Sequence, residues 1–207
     1  KTVMLGSGRH EAFDLISIDV GSSPDVRIPG ALAHAVPVKP VAGFLAAWTR
    51  MQADAAAGSV RTIGIVGGGA AGVEVLLAMQ WQLTHTLGAG APRFALVTDQ
   101  PALLPQHPPV VRARFGRLLV ERGVVLHLSS AAVAVEPSSV HVTQGRRISL
   151  DRIVWATAAA APSWPDLAGL ACDERGFIRI DDHLRSPSHQ FVFAAGDCAT
   201  QDGQARP

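Results

Sequence analysis

Three glycines at the end of a short apolar run constrain this chain more than any other feature. They are Gly67, Gly69 and Gly72, within residues 63–74, and they fill the glycine positions of G-x-G-x-x-G. Gly67 permits a tight turn out of a strand. Gly69 lets a pyrophosphate approach the backbone closely, and Gly72 lets the following helix pack on the strand. The free N–H groups and positive dipole end of that helix then suit phosphate. The glycine pattern alone is weak, but its context is right: residues 61–66 read as a buried strand and 70–87 as a helix. Gly67, Gly68, Gly69, Ala70, Ala71 and Gly72 are therefore expected to hold a dinucleotide phosphate. The alternative is a glycine-rich turn of an α/β protein that binds nothing.

The same alternation continues downstream. Residues 94–98 read as a second strand and 124–128 as a third. Pro108 and Pro109 open a helix between them that runs to Glu121 and ends at Gly123. Strand–helix alternation over 61–128 predicts βαβ units and a parallel sheet. Residues 133–136, 140–143 and 148–150 look like a small antiparallel meander. Residues 152–157 and 190–195 read as further strands. Upstream, residues 13–20 alternate apolar and polar and stop at Gly21, Ser22, Ser23 and Pro24, a strand ending in a turn. Pro37 and Pro40 bracket a linker. Residues 41–57 read as a helix with Phe44, Leu45, Trp48 and Met51 on one face, ended by Gly58.

An acidic residue after the second strand of such a unit binds the adenosine ribose hydroxyls. Asp99 is the candidate, with an ordinary turn residue as the other reading. It lies farther from the glycine loop than the usual ~20 residues, and residues 84–92 read as the insertion responsible. No arginine directly follows Asp99, which favours NADH over NADPH.

Composition removes whole classes of function. A chain of 207 residues that is 48% hydrophobic and only 17% charged is not disordered. Net charge is +1, from 18 basic and 17 acidic residues without a basic run, so no nucleic-acid partner is expected. The two cysteines, Cys172 and Cys198, make neither a disulfide scaffold nor a Cys-x-x-Cys pair. With no signal sequence, this points to the cytoplasm. The longest apolar stretch, 63–79, is interrupted by glycines and Glu74 and falls short of a span. The histidines form no metal-ligand spacing, so no metal is expected. His85 and His107 read as loop residues. Arg112, Arg114 and Arg117 read as a solvated helix face. Trp155 reads as core, with a place lining a cofactor cleft as the other reading.

Residues 191–199 resemble the FAAGD segment of pyridine nucleotide-disulfide oxidoreductase-type flavoproteins. Residues 153–158 look like the strand end of that family, with Ala158 where glycine is usual. Residues 13–22 resemble its earlier strand ending in Gly-Ser. Four motifs thus stand in the family's order over nearly the whole chain. Within the family, residues 14–22, 37–40 and 176–197 most resemble the FAD-containing NADH dehydrogenase-like proteins fused or adjacent to selenide, water dikinase. Type II NADH dehydrogenases come next.

The resemblance implies an α/β fold: a Rossmann-like three-layer NAD-binding domain with a parallel sheet and a small antiparallel meander, flanked by pieces of an FAD-binding domain. Residues 1–60 are expected to be a partial FAD-domain segment and linker helix, 61–151 the NAD(P)-binding domain, and 152–207 the return segment of the FAD domain. The start at Lys1, with no flavin glycine loop before Phe13, suggests an internal fragment. It would hold NAD(H), carry no FAD and be inactive alone.

The implied reaction is hydride transfer from NADH to flavin, with type II NADH:quinone reduction or a non-catalytic NADH-binding module as alternatives. Ala156, Thr157, Gly196 and Asp197 are implied as cofactor-binding residues, Asp197 at the ribityl–phosphate region of FAD. Glu74 stands where relatives place a carboxylate near the nicotinamide. It is expected to be partly buried, and its other reading is a solvated helix residue. Implied partners are NADH, an electron acceptor outside this stretch, a selenide, water dikinase domain and a second copy in a homodimer. The full-length form would be cytoplasmic and peripheral to the inner membrane.

Overall fold

The computed structural model describes residues 1–157, 159–201 and 204–205. The Ala158 position of the strand-end motif lies outside them. The chain divides into two compact units, Pro24–Ala158 and Lys1–Ser23 with Ala159–Pro207.

The larger unit is built on a parallel sheet. Its strands lie in the order Val36–Pro37, Arg152–Trp155, Thr62–Val66, Arg93–Val97, Val125–His127. Parallel strands are covered on both faces, which is why they read as unbroken apolar runs. The alternation of side chains across a strand then sorts each run into two cores. Ile63, Ile65, Phe94, Leu96 and Val154 pack against Met51, Leu76, Met79, Leu83 and Leu119. Those partners come from helices Val41–Ala56, Ala70–Leu87 and Pro109–Glu121. Val66, Ala95, Val97, Ile153 and Trp155 pack instead against Val135, Val140, Ile148 and Leu150. These belong to, or directly follow, the antiparallel ladder of Ala132–Glu136, Ser139–Val142 and Arg146–Ser149. Helices, parallel sheet and antiparallel ladder make the expected three layers. The ladder sits close to the sheet because Gly64 has no side chain: a Cβ there would lie 2.2 Å from Leu150 Cδ1.

Two expectations need correction. The stretch bracketed by Pro37 and Pro40 does not act as a linker, because Val36–Pro37 extends the sheet beside Arg152–Trp155. Val36, Val38, Phe44 and Trp48 pack on the helix-side core. The compact unit accordingly begins at Pro24 rather than at residue 61, and runs to Ala158 rather than to residue 151. A single apolar strand residue pair is too short to show a period, so this edge strand is invisible in sequence.

The smaller unit contains a hairpin of Thr2–Met4 with His10–Ala12. It also contains the parallel pair Ile16–Ile18 and Val192–Ala194. The expected strand over 13–20 is thus confined to three residues, the length of the partner it pairs with. Ile178–Arg179 runs parallel to Ala199–Gln201, which pairs antiparallel with Gln204–Ala205. Ile18, Ile178, Val192, Ala194 and Cys198 centre this unit's own core. Among the described residues, no helix is long and apolar enough to cross a membrane.

Candidate functional site

At the carboxyl ends of the central strands the larger unit opens a cavity of about 560 Å³, within the range of small-molecule and cofactor sites. Gly67, Gly68, Gly69, Ala70 and Ala71 line it, together with Asp99, Ala156 and Thr157. Eight of the candidate residues, scattered over 90 positions of sequence, therefore meet in one place. Crevices beyond the carboxyl ends of parallel strands are where α/β sheets bind ligands.

The glycines of the loop have different reasons to be glycine. Gly67 has φ +129°, and a Cβ on it would lie 2.1 Å from the Ala156 carbonyl oxygen. A Cβ on Gly72 would lie 2.0 Å from the Gly67 carbonyl oxygen, and one on Gly68 2.7 Å from Thr98 Oγ1. Packing alone demands these three. A Cβ on Gly69 would meet nothing within 4 Å, and its φ of −78° is open to any residue. Packing therefore does not require glycine at this position. Gly69 is also the N-cap of the 18-residue helix Ala70–Leu87 and offers no side-chain cap. The first-turn amides therefore have no helical carbonyl to bond and remain available to an anion.

Leu104 closes one wall. Its φ is +54°, and its N–H donates to the Gly68 carbonyl at 2.8 Å. Buried Leu103 and Leu104 anchor this loop in the core, which brings Pro105, Gln106 and His107 to the cavity. His107 is a loop residue as expected. His85 is not: it lies in helix Ala70–Leu87, stacked on Trp81 with ring centroids 5.2 Å apart.

Asp99 follows the strand Arg93–Val97 and is exposed to the cavity. Gln100 Nε2 donates to its carboxylate at 3.1 Å. Its distance from the glycine loop is taken up by helix, since Ala70–Leu87 continues into a tight turn at Gly88–Gly90. Trp155 is core: it is 1% exposed, and its Nε1 donates to the Asp25 carbonyl at 2.6 Å. Thr157 Oγ1 donates to the same carbonyl at 3.3 Å.

Glu74 departs from expectation. It is exposed rather than partly buried, and it does not line the cavity. The helical period turns Val73, Leu76 and Met79 to the core, and Glu74 falls between them on the outer side. Gly196 and Asp197 lie in the smaller unit. There Gly196 has φ +69°, and a Cβ on it would lie 2.5 Å from Asp19 Oδ1. Asp197 is exposed, and Ser22 Oγ donates to its Oδ2 at 3.2 Å. Cys172 and Cys198 are both free thiols. Burial, helped by the Asp166 and Asp173 charges, pushes the Cys172 thiol up, away from thiolate reactivity.

Sequence reasoning missed Asp25, which also lines the cavity. It stands in no glycine motif and follows only the two-residue strand Ser23–Pro24, too short to show a period, so nothing in the sequence marks it. Arg27 beside it holds the Asp25 carboxyl below the usual carboxylate range, chiefly through side-chain hydrogen bonds and against the effect of burial. Arg27 Nη2 lies 2.6 Å from Asp25 Oδ2.

The whole chain, residues 1–207, matches the family model described as pyridine nucleotide-disulphide oxidoreductase. The chain belongs to this family. Among its similar members is the NADH dehydrogenase-like protein Rv1812c of Mycobacterium tuberculosis, 27% identical over 141 residues, which are 67% of this chain and 35% of that protein. The type II NADH:quinone oxidoreductase of Haemophilus influenzae is 28% identical over 145 residues, 66% of this chain and 33% of that protein. The chain therefore spans about a third of the length of these family relatives. In fold it is similar to NDH2 from Plasmodium falciparum solved in complex with NADH, with a TM-score of 0.80 at 16% identity over 97% of this chain and 47% of that one.

Proposed function

We propose that this chain is the pyridine-nucleotide-binding part of an FAD-dependent oxidoreductase that takes its electrons from NADH. The observation that carries the reading is Gly69, a glycine that no neighbour requires, at the N-terminus of a long helix on the wall of a cofactor-sized cavity. The pyrophosphate would rest on the first-turn amides there. Asp99 would accept hydrogen bonds from the adenosine ribose hydroxyls. Ala156 and Thr157 would border the opposite half of the dinucleotide.

In the smaller unit, Asp197 presents an exposed carboxylate steadied by Ser22, a suitable acceptor for hydroxyls of the FAD ribityl chain. When bound, flavin supplies the hydride acceptor and carries the redox chemistry. The chain's own residues position the nucleotide and exclude water; none needs to move a proton. Glu74 keeps the role implied by the resemblance, a carboxylate near the nicotinamide that meets a polar group from the flavin side. Residues 24–157 would form the nucleotide-binding part, with 61–151 at its centre, and 1–23 and 159–207 would supply parts that belong with the flavin.

Calorimetric titration with NADH tests the reading. Binding is expected with the native sequence and lost in Gly69→Trp; unchanged binding in that variant would reject the loop as the site. NADPH should bind more weakly than NADH, and Asp99→Ala should narrow the difference. Glu74→Gln should slow flavin reduction at saturating NADH while leaving NADH affinity in place, as read by stopped-flow absorbance. The type II reading is favoured by the likeness to the Haemophilus influenzae and Plasmodium falciparum proteins, and NADH-dependent reduction of a soluble quinone decides it. The link to selenide, water dikinase and a cytoplasmic site at the inner-membrane surface rest on the motif resemblance, and co-purification with the dikinase tests the former.

A further inference from the structure

We propose that Asp25 is a further nucleotide-binding residue, one that accepts hydrogen bonds from the nicotinamide nucleoside. This rests on the cavity being the dinucleotide site. The argument starts from strand order. Thr62–Val66, which leads into the glycine loop, has Arg93–Val97 on one side and Arg152–Trp155 on the other. A dinucleotide whose pyrophosphate rests on the loop extends to both sides. Asp99, after Arg93–Val97, marks the adenosine side. The nicotinamide nucleoside then falls on the side of Ala156 and Thr157, which follow Arg152–Trp155.

Asp25 lines the cavity on that side and is pinned there. Its carbonyl accepts from Trp155 Nε1 at 2.6 Å and from Thr157 Oγ1 at 3.3 Å. Its carboxylate is oriented by three N–H groups of Arg27: the backbone N–H donates to Oδ1 at 3.0 Å, Nε is shared between Oδ1 at 2.9 Å and Oδ2 at 3.0 Å, and Nη2 donates to Oδ2 at 2.6 Å. Those three donors leave room for one more. A carboxylate has about four acceptor positions, and the Asp25 side chain remains 31% exposed. Acceptor-only chemistry selects O–H and N–H donors. The nicotinamide nucleoside offers both kinds, in its ribose hydroxyls and its carboxamide. Asp25 thus mirrors Asp99 across the glycine loop, one carboxylate for each nucleoside.

Substituting the Asp25 side chain leaves in place the carbonyl that anchors this segment, so the fold should survive. The test is calorimetry on the native protein, Asp25→Ala and Asp25→Asn with three probes: NADH, ADP-ribose and ADP. We expect ADP affinity unchanged in both variants, because ADP lacks the second nucleoside. NADH should bind about tenfold more weakly to Asp25→Ala, the scale of one hydrogen bond to a charged group. Asp25→Asn, which retains one acceptor oxygen, should lose less. If the donors are ribose hydroxyls, ADP-ribose weakens with NADH; if the donor is the carboxamide, only NADH weakens. Unchanged NADH affinity, or an equal loss for ADP and NADH, would overturn the proposal while leaving the site assignment standing. Failure of the native protein to bind either ADP or NADH would overturn the site assignment and the proposal with it.

Discussion

Gly69 and Gly72 stand one helical turn apart, and the fold uses them in opposite ways. Gly72→Ala would set a Cβ 2.0 Å from the Gly67 carbonyl oxygen. The helix would have to move off the strand, at a cost of about 1–3 kcal/mol, read as a lower urea midpoint. Gly69→Ala meets open space and sacrifices only an N-cap preference, under about 1 kcal/mol. Its effect should appear instead in NADH affinity. A matched pair of denaturation and binding curves therefore separates a glycine required by packing from one proposed to serve a ligand. Both are equally visible in the G-x-G-x-x-G pattern, which reports position but not purpose. Asp25 shows the converse, a cavity residue with no pattern at all.

Among the elements, the start of Thr62–Val66 is tied to the ladder by Asp151. Its Oδ2 accepts from the amides of Arg61 and Thr62 at 2.8 and 2.9 Å and from Thr62 Oγ1 at 3.0 Å. Burial pushes this carboxyl up, but those hydrogen bonds and the Arg152 charge together outweigh it and hold it below the usual carboxylate range. A carboxyl depressed in the folded state stabilises above its unfolded pKa, and that contribution is lost as pH falls through the folded value. Asp151→Asn should therefore destabilise at neutral pH and flatten the acid limb of stability below about pH 4, measured as urea midpoint against pH. Helix Val41–Ala56 makes a second element-scale case. Met51 is 2% exposed in the core beneath the sheet, so Met51→Ala should cost about 2–5 kcal/mol. A detached linker helix would tolerate that change with almost no loss.

At the scale of the molecule, the larger unit carries both of its cores and every residue that lines the cavity. Residues 24–157 expressed alone should fold cooperatively and bind ADP, as followed by circular dichroism and calorimetry. Beginning the fragment at residue 61 removes Met51, Trp48 and the edge strand Val36–Pro37, and should leave it unfolded or aggregated. What the sequence determined by itself was everything with a local period or a local stereochemical demand. The three inner strands, three long helices and antiparallel ladder follow from apolar repeats and from proline and glycine at their ends. The glycine loop follows from the turn it must make. Tertiary structure alone decided the unit boundary at Pro24, the exposure of Glu74, and the arrival of Asp25 and His107 at the cavity. Those depend on which residues meet across long stretches of chain, and such meetings are set by packing, which leaves no repeat in the sequence to read.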